Sequence, residues 1–194
     1  MHQTGLPRNP PAPGASSLNG SVRPSSTPDA GARTRSYTWD DPAVSAAAAR
    51  EQDGTAFLQA ILDGTLPGAP IARTLDFAPV SVEPGTVVFE FTPAEFHYNP
   101  IGSVHGGVIS TLCDSACGCA VQSLLPAGTY YTSLDLSVKF LRAVSSGTGP
   151  LTCTGTVTHL GGRSALAEAR LASSDGKLYA FATSSCMIFR PAAG

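Results

Sequence analysis

One stretch limits the folds open to this chain more than any other. From Val108 to Leu125 it is almost wholly apolar or small, with Gly118 its sole candidate breaker, and it is entered through His105-Gly106-Gly107. Between Gly106 and Leu125 only Asp114 carries a formal charge. The stretch reads as one long helix. At about 100° per residue, Ile109, Leu112, Ala116, Cys119 and Ala120 fall on one side, as if laid on a sheet. Gly107, Ser110, Thr111, Asp114 and Gly118 fall on the other. A helix face turned to solvent would carry several Lys and Glu. This one is small and polar, which permits close approach of another backbone and predicts contact with a second subunit.

The rest of the chain supplies the sheet. Asp41-Pro42 reads as a helix start, since Pro suits an early helical position. That helix is predicted to run to Leu62, stopped by Gly64 and Pro67. Residues 71–82 and 86–93 read as strands about a Glu83-Pro84-Gly85 turn, followed by a loop from Pro93 to Ser103. Four more strands follow at roughly 130–142, 151–159, 164–173 and 178–189. Gly161-Gly162 and Asp175-Gly176 separate the last three, and both dipeptides favour two-residue hairpin turns. Leu134, Leu136, Val138 and Phe140 alternate with Asp135, Ser137 and Lys139, as a half-buried strand requires. The expected class is α+β, one long helix on an antiparallel sheet of about six strands.

Composition narrows the function. The chain has 194 residues, a net charge of −2 and 13% charged residues. It suits one domain, 41–194, behind a tail, 1–40. Pro7, Pro10, Pro11, Pro13, Pro24 and Pro28 interrupt the tail, which reads as disordered. The other reading of the tail is an organelle transit segment, against which its prolines count. The near-neutral charge excludes a basic stripe for nucleic acid. No apolar run is long enough for a membrane span, and the first ten residues lack a secretory apolar core, so a cytoplasmic protein is expected. Few charges imply surface hidden in subunit contacts. The five cysteines, Cys113, Cys117, Cys119, Cys153 and Cys186, form no CxxC pair and read as reduced core residues. With His97 and His159 at no ligand spacing, neither a metal nor another cofactor is expected.

The helix start carries the chemistry. Gly106 and Gly107 open the helix, so their N–H groups lack intrahelical partners and lie at the positive end of its dipole. They suit an anion, or a carbonyl becoming an oxyanion. Asp114 lies eight residues further on, about 12 Å along the axis. Hydrogen-bond reach is about 3 Å. A carbonyl held at one helix start therefore lies outside the reach of that helix's own Asp114, and a second chain about a two-fold axis would have to supply it.

The pattern Asn99-Pro-Ile-Gly-Ser-Val-His105-Gly106-Gly107, then Asp114, then Thr132-Ser133-Leu-Asp135, resembles the hot-dog-fold acyl-CoA thioesterases, in particular the PaaI-type (phenylacetate-degradation) branch. The resemblance covers roughly residues 52–190, including FLQAILDGTLPGAPIARTL. It implies a long helix wrapped by a curved antiparallel sheet, paired as a homodimer or a dimer of dimers. It implies an acyl-CoA thioester as substrate. By position, Gly106 would donate its N–H to the thioester carbonyl. Asp114 of the other chain would act as general base or nucleophile. Asn99 and His105 would shape the site, and Ser133 would help position water. Thr132 would take that place if the strand slipped by one residue. Gly107 and Thr132 fall beside the substrate, and Arg163 matches a position near the coenzyme. A solvated hairpin charge is the other reading of Arg163, and the polar side of a strand the plain reading of Asp135. Phe96, His97 and Tyr98 are open between lining an acyl pocket and packing a loop. Two other functions fit the same scaffold: a non-catalytic acyl-CoA-binding module, and a hydratase of enoyl thioesters.

Overall fold

The computed structural model describes residues 31–190. The chain divides into two units, Met1–Ser36 and Tyr37–Gly194. The first holds only Gly31–Ser36 of the described residues, with no helix or strand. Most of the predicted tail lies outside the described residues.

In the second unit, α1 (Pro42–Glu51), α2 (Gly54–Leu62) and α3 (Pro70–Leu75) precede β1 (Phe77–Glu83) and β2 (Thr86–Phe91). Then come α4 (Gly106–Gln122), β3 (Tyr130–Phe140), β4 (Leu151–Leu160), β5 (Ser164–Ser173) and β6 (Leu178–Phe189). The six strands form one antiparallel sheet in the order β1-β2-β4-β5-β6-β3. Helix α4 lies across it, touching β2, β4, β5, β6 and β3.

Packing of α4 follows from small side chains. Leu112, Cys113, Ala116, Cys117 and Ala120 have no exposure, nor have the facing Cys153, Ala165, Ala169, Ala180 and Ala182. At Gly155 of β4 an added Cβ would stand 2.0 Å from the Ala116 carbonyl oxygen, so only glycine admits the helix this closely. Burial pushes the Cys117 thiol up to about 12, and all five cysteines are free.

Three expectations are corrected. The first helix is two: Asp53 accepts from the Ala56 N–H at 3.0 Å and so caps a new helix just after α1 ends. Residues 71–75 are helical rather than extended, because Pro70 opens a short helix that Asp76 ends in the left-handed conformation (φ 56°). The alternation of β3 does not run unbroken from Leu134. Ser133 pairs with Cys186 and Asp135 with Ser185, leaving Leu134 as the surplus residue of a bulge, 57% exposed. The Asp135 carboxylate accepts the Ser185 N–H at 3.1 Å, and Ser184 Oγ donates to the Asp135 carbonyl at 2.8 Å. Asp135 thus serves the bulge.

Candidate active site

Strand β3 runs antiparallel to α4, and three of its side chains meet the helix in order. The Phe140 ring lies 3.1 Å from where a Cβ on Gly106 would be. Ser133 Oγ donates to Asp114 Oδ1 at 3.0 Å. The Tyr131 hydroxyl lies 2.3 Å from where a Cβ on Gly118 would be, which explains why Gly118 is buried rather than on the open face. Ser133 and Tyr131 share a face because strand residues two apart point the same way. Thr132 points the other way and does not join Asp114.

The helix tip is organised by His105. It is the N-cap of α4, and its Nδ1 accepts the Gly107 N–H at 2.9 Å, so its proton sits on Nε2. The Val108 N–H goes to the His105 carbonyl. Of the two expected donors, Gly107 is therefore committed within the chain, and the Gly106 N–H has no partner among the described residues. Asn99 ties the preceding loop. Its Oδ1 accepts from the Ile101 and Ser103 N–H groups, and its Nδ2 donates to Ser103 Oγ at 3.1 Å. One N–H of that amide remains for another acceptor.

Two cavities adjoin Asp114. One is an open cleft of about 320 Å³ between α4 and β3, lined by Ser110, Thr111, Asp114, Ser133, Leu134, Asp135 and Leu136. The Ser110 and Thr111 hydroxyls are tied to the Gly106 and Gly107 carbonyls, so the hydrogen-bonded pair Asp114 and Ser133 is the polar group left facing this cleft. The other is a more enclosed chamber of about 260 Å³ on the far side of Asp114. Leu58, Ile61, Ile71, Ala72, Phe77 and Phe89 give it apolar walls; Ser115, Cys119 and Tyr131 complete the side toward α4. Burial, with Asp114 nearby, pushes the Cys119 thiol up to about 12, so it stays protonated.

Neither cavity includes Arg163, Phe96, His97 or Tyr98. His97 is buried, with Nδ1 accepting the Ala94 N–H and Nε2 donating to the Leu75 carbonyl. Tyr98 bonds Ser146. Loop packing is their observed role. The chamber residues on α2 and α3, and Tyr131, were not singled out from the sequence as site residues. The apolar spacing of FLQAIL was the available signal.

Comparison with known proteins decides the family. Residues 101–180 match the model of the thioesterase superfamily. A provisionally named esterase of Saccharolobus solfataricus is 31% identical over 120 residues, 62% of this chain and 84% of that protein. The chain belongs to the thioesterase superfamily. A phenylacetic acid degradation-related protein of Ralstonia eutropha JMP134 is 28% identical, with a TM-score of 0.61 over 67% of this chain and 98% of its own. The Escherichia coli PaaI protein, from the phenylacetic acid degradation operon, shares the fold at 22% identity, with a TM-score of 0.61 over 72% of this chain and 96% of its own. This thioesterase therefore has the hot-dog fold, is PaaI-like, and is a thioester hydrolase. Among the described residues no helix is long and apolar enough to cross a membrane.

Proposed function

We propose that the protein hydrolyses an acyl- or aryl-CoA thioester to a carboxylic acid and free coenzyme A, in a site completed by a second copy of the chain. One observation carries this reading. The open Gly106 N–H and Asp114, which accepts from Ser133 of β3, stand eight residues apart on one unbroken helix, about 12 Å of rise, too far to act on one carbonyl. Strand β3 is a sheet edge eleven residues long, exposing Leu134 and Phe140, and offers a surface for that second copy. The assembly proposed is a homodimer or a dimer of dimers.

The chemistry is then direct. The thioester carbonyl sits at the Gly106 N–H of one chain, and Asp114 of the other takes a proton from water as the water attacks. Ser133 holds one carboxylate oxygen and leaves the other for the base. The Gly106 N–H bears the oxyanion, and its collapse expels the coenzyme A thiolate. One such donor contributes about 3–4 kcal/mol, and a general base 10²–10⁴-fold. His105 fixes the helix tip, Asn99 shapes the loop before it, and Gly107 borders the substrate. Arg163, outside both cavities, is proposed as a contact for the coenzyme. No metal or cofactor takes part.

The test mixes two inactive chains. Gly106→Pro removes the N–H; Pro suits this first helical position, His105 (ψ 135°) already has the backbone a following Pro requires, and the Phe140 ring, 3.1 Å from the added Cβ, has to yield by a few tenths of an ångström. Asp114→Ala removes the base. Hybrids should regain up to a quarter to a half of the wild-type rate of thiol release, because one of their two sites is intact. No recovery in hybrids shown to form would refute the shared site. Tight acyl-CoA binding without thiol release by the wild-type chain would point instead to a binding module.

A further inference from the structure

The chamber behind Asp114 holds a polar atom that nothing in the protein uses. The Tyr131 hydroxyl has no hydrogen-bond partner among the described residues, although the ring is half-buried against the core. Every side-chain nitrogen or oxygen sealed from solvent among the described residues does have a partner. The hydroxyl is therefore not sealed, and it opens on the chamber that its ring lines. Ser115, also in that wall, makes no hydrogen bond with its side chain among the described residues. Burial holds the Tyr131 phenol well above its ordinary value, so it stays an O–H donor. A donor that lacks a protein partner and faces the chamber favours an acceptor on whatever fills the space.

Position adds detail. The hydroxyl lies over Gly118, four residues beyond Asp114, or about 6 Å along α4. A chamber of about 260 Å³ holds about nine groups of water size, at roughly 30 Å³ each. We infer that Tyr131 is a specificity-determining residue, and that the acyl group is compact, with about nine heavy atoms or fewer, and carries an oxygen acceptor in its outer half that takes the Tyr131 hydroxyl proton in a hydrogen bond. The inference rests on the thioester-hydrolase reading above and names the acyl class for that site. Gly118 belongs to it, because any side chain there would push the hydroxyl from its place.

The test compares 5-oxohexanoyl-CoA with 5-methylhexanoyl-CoA, which match in shape and differ in the acceptor. Wild-type enzyme should prefer the oxo substrate in kcat/KM, chiefly through KM. Tyr131→Phe, which keeps the ring and its packing, should lower the oxo-to-methyl ratio of kcat/KM about tenfold. Tyr131→Leu, which shortens the wall, should move the optimum of a straight-chain C4–C16 series toward longer chains. An unchanged oxo-to-methyl ratio in Tyr131→Phe, or a wild-type optimum at C12 or beyond, overturns the inference while leaving thioester hydrolysis standing. If the wild type released no thiol from any member, the function reading would fail instead. The same ratio is then read as dissociation constants by calorimetry and decides the chamber on its own.

Discussion

The two faces of α4 show how differently one helix can be used. On the face laid against the sheet, Leu112, Cys113, Ala116, Cys117 and Ala120 have no exposure, and Gly155 of β4 lets the backbones nearly touch. On the other, Ser110, Thr111, Asp114 and Ser115 are half-exposed and line cavities. The packed face tolerates no added atom, whereas the open face is mostly space. The proposed chemistry would thus be carried by a packed element without loosening it, and the two faces should respond to substitution in separable ways.

The sharpest separation is Asp114→Ala. It should cut kcat at least a hundredfold, about 2.7 kcal/mol of barrier, with the thermal midpoint close to wild type. Retained turnover would erase the distinction between the faces. Gly155→Ala is the converse. Its Cβ would meet the Ala116 carbonyl, which belongs to backbone, so a loss of about 1–3 kcal/mol in urea unfolding is expected. Ser133→Ala should lower kcat by several-fold to tenfold at unchanged stability, because it frees the carboxylate without removing it.

A further effect is confined to alkaline pH. Cys117 is pushed up to about 12 in the fold, while in the unfolded chain it ionises near an ordinary thiol value of about 9. Between these values the folded state holds the extra proton. The stabilisation from this group is complete below about pH 9 and is lost as pH rises toward 12, by up to about 1.4 kcal/mol per pH unit. Urea midpoints compared at pH 8 and pH 10.5 should show this decline, and Cys117→Ala should make it shallower by one group's share, since burial raises Cys119 in the same way. An equal slope in that variant would assign the decline to other groups.

Much of this was legible in the residues. A charge-poor helix with one acid, a Gly-Gly start and strands parted by turn dipeptides suffice for the helix-on-sheet order, and they put Gly106 and Asp114 on the same helix. What escaped depends on partners distant in the chain. The bulge at Leu134 answers to β6, and no local alternation reveals it. The use of the Gly107 N–H depends on the His105 ring, and the chamber needs α2 and α3 folded against α4. Residues 71–75 carry strand-like apolar spacing, yet Pro70 before them and Asp76 after them suffice for a turn and a half of helix.

The surplus residue in β3 has one more consequence. Because it is an addition to the ladder, removing Leu134 would leave Tyr131 and Ser133, and beyond them Leu136 and Val138, aimed at the helix as before. What would vanish is the bend, together with the need for the Asp135 carboxylate to cover the Ser185 amide. The contour of the groove and the identity of its reacting groups are thus encoded by different residues, so a descendant of this chain could redraw the first by a one-codon deletion while inheriting the second intact.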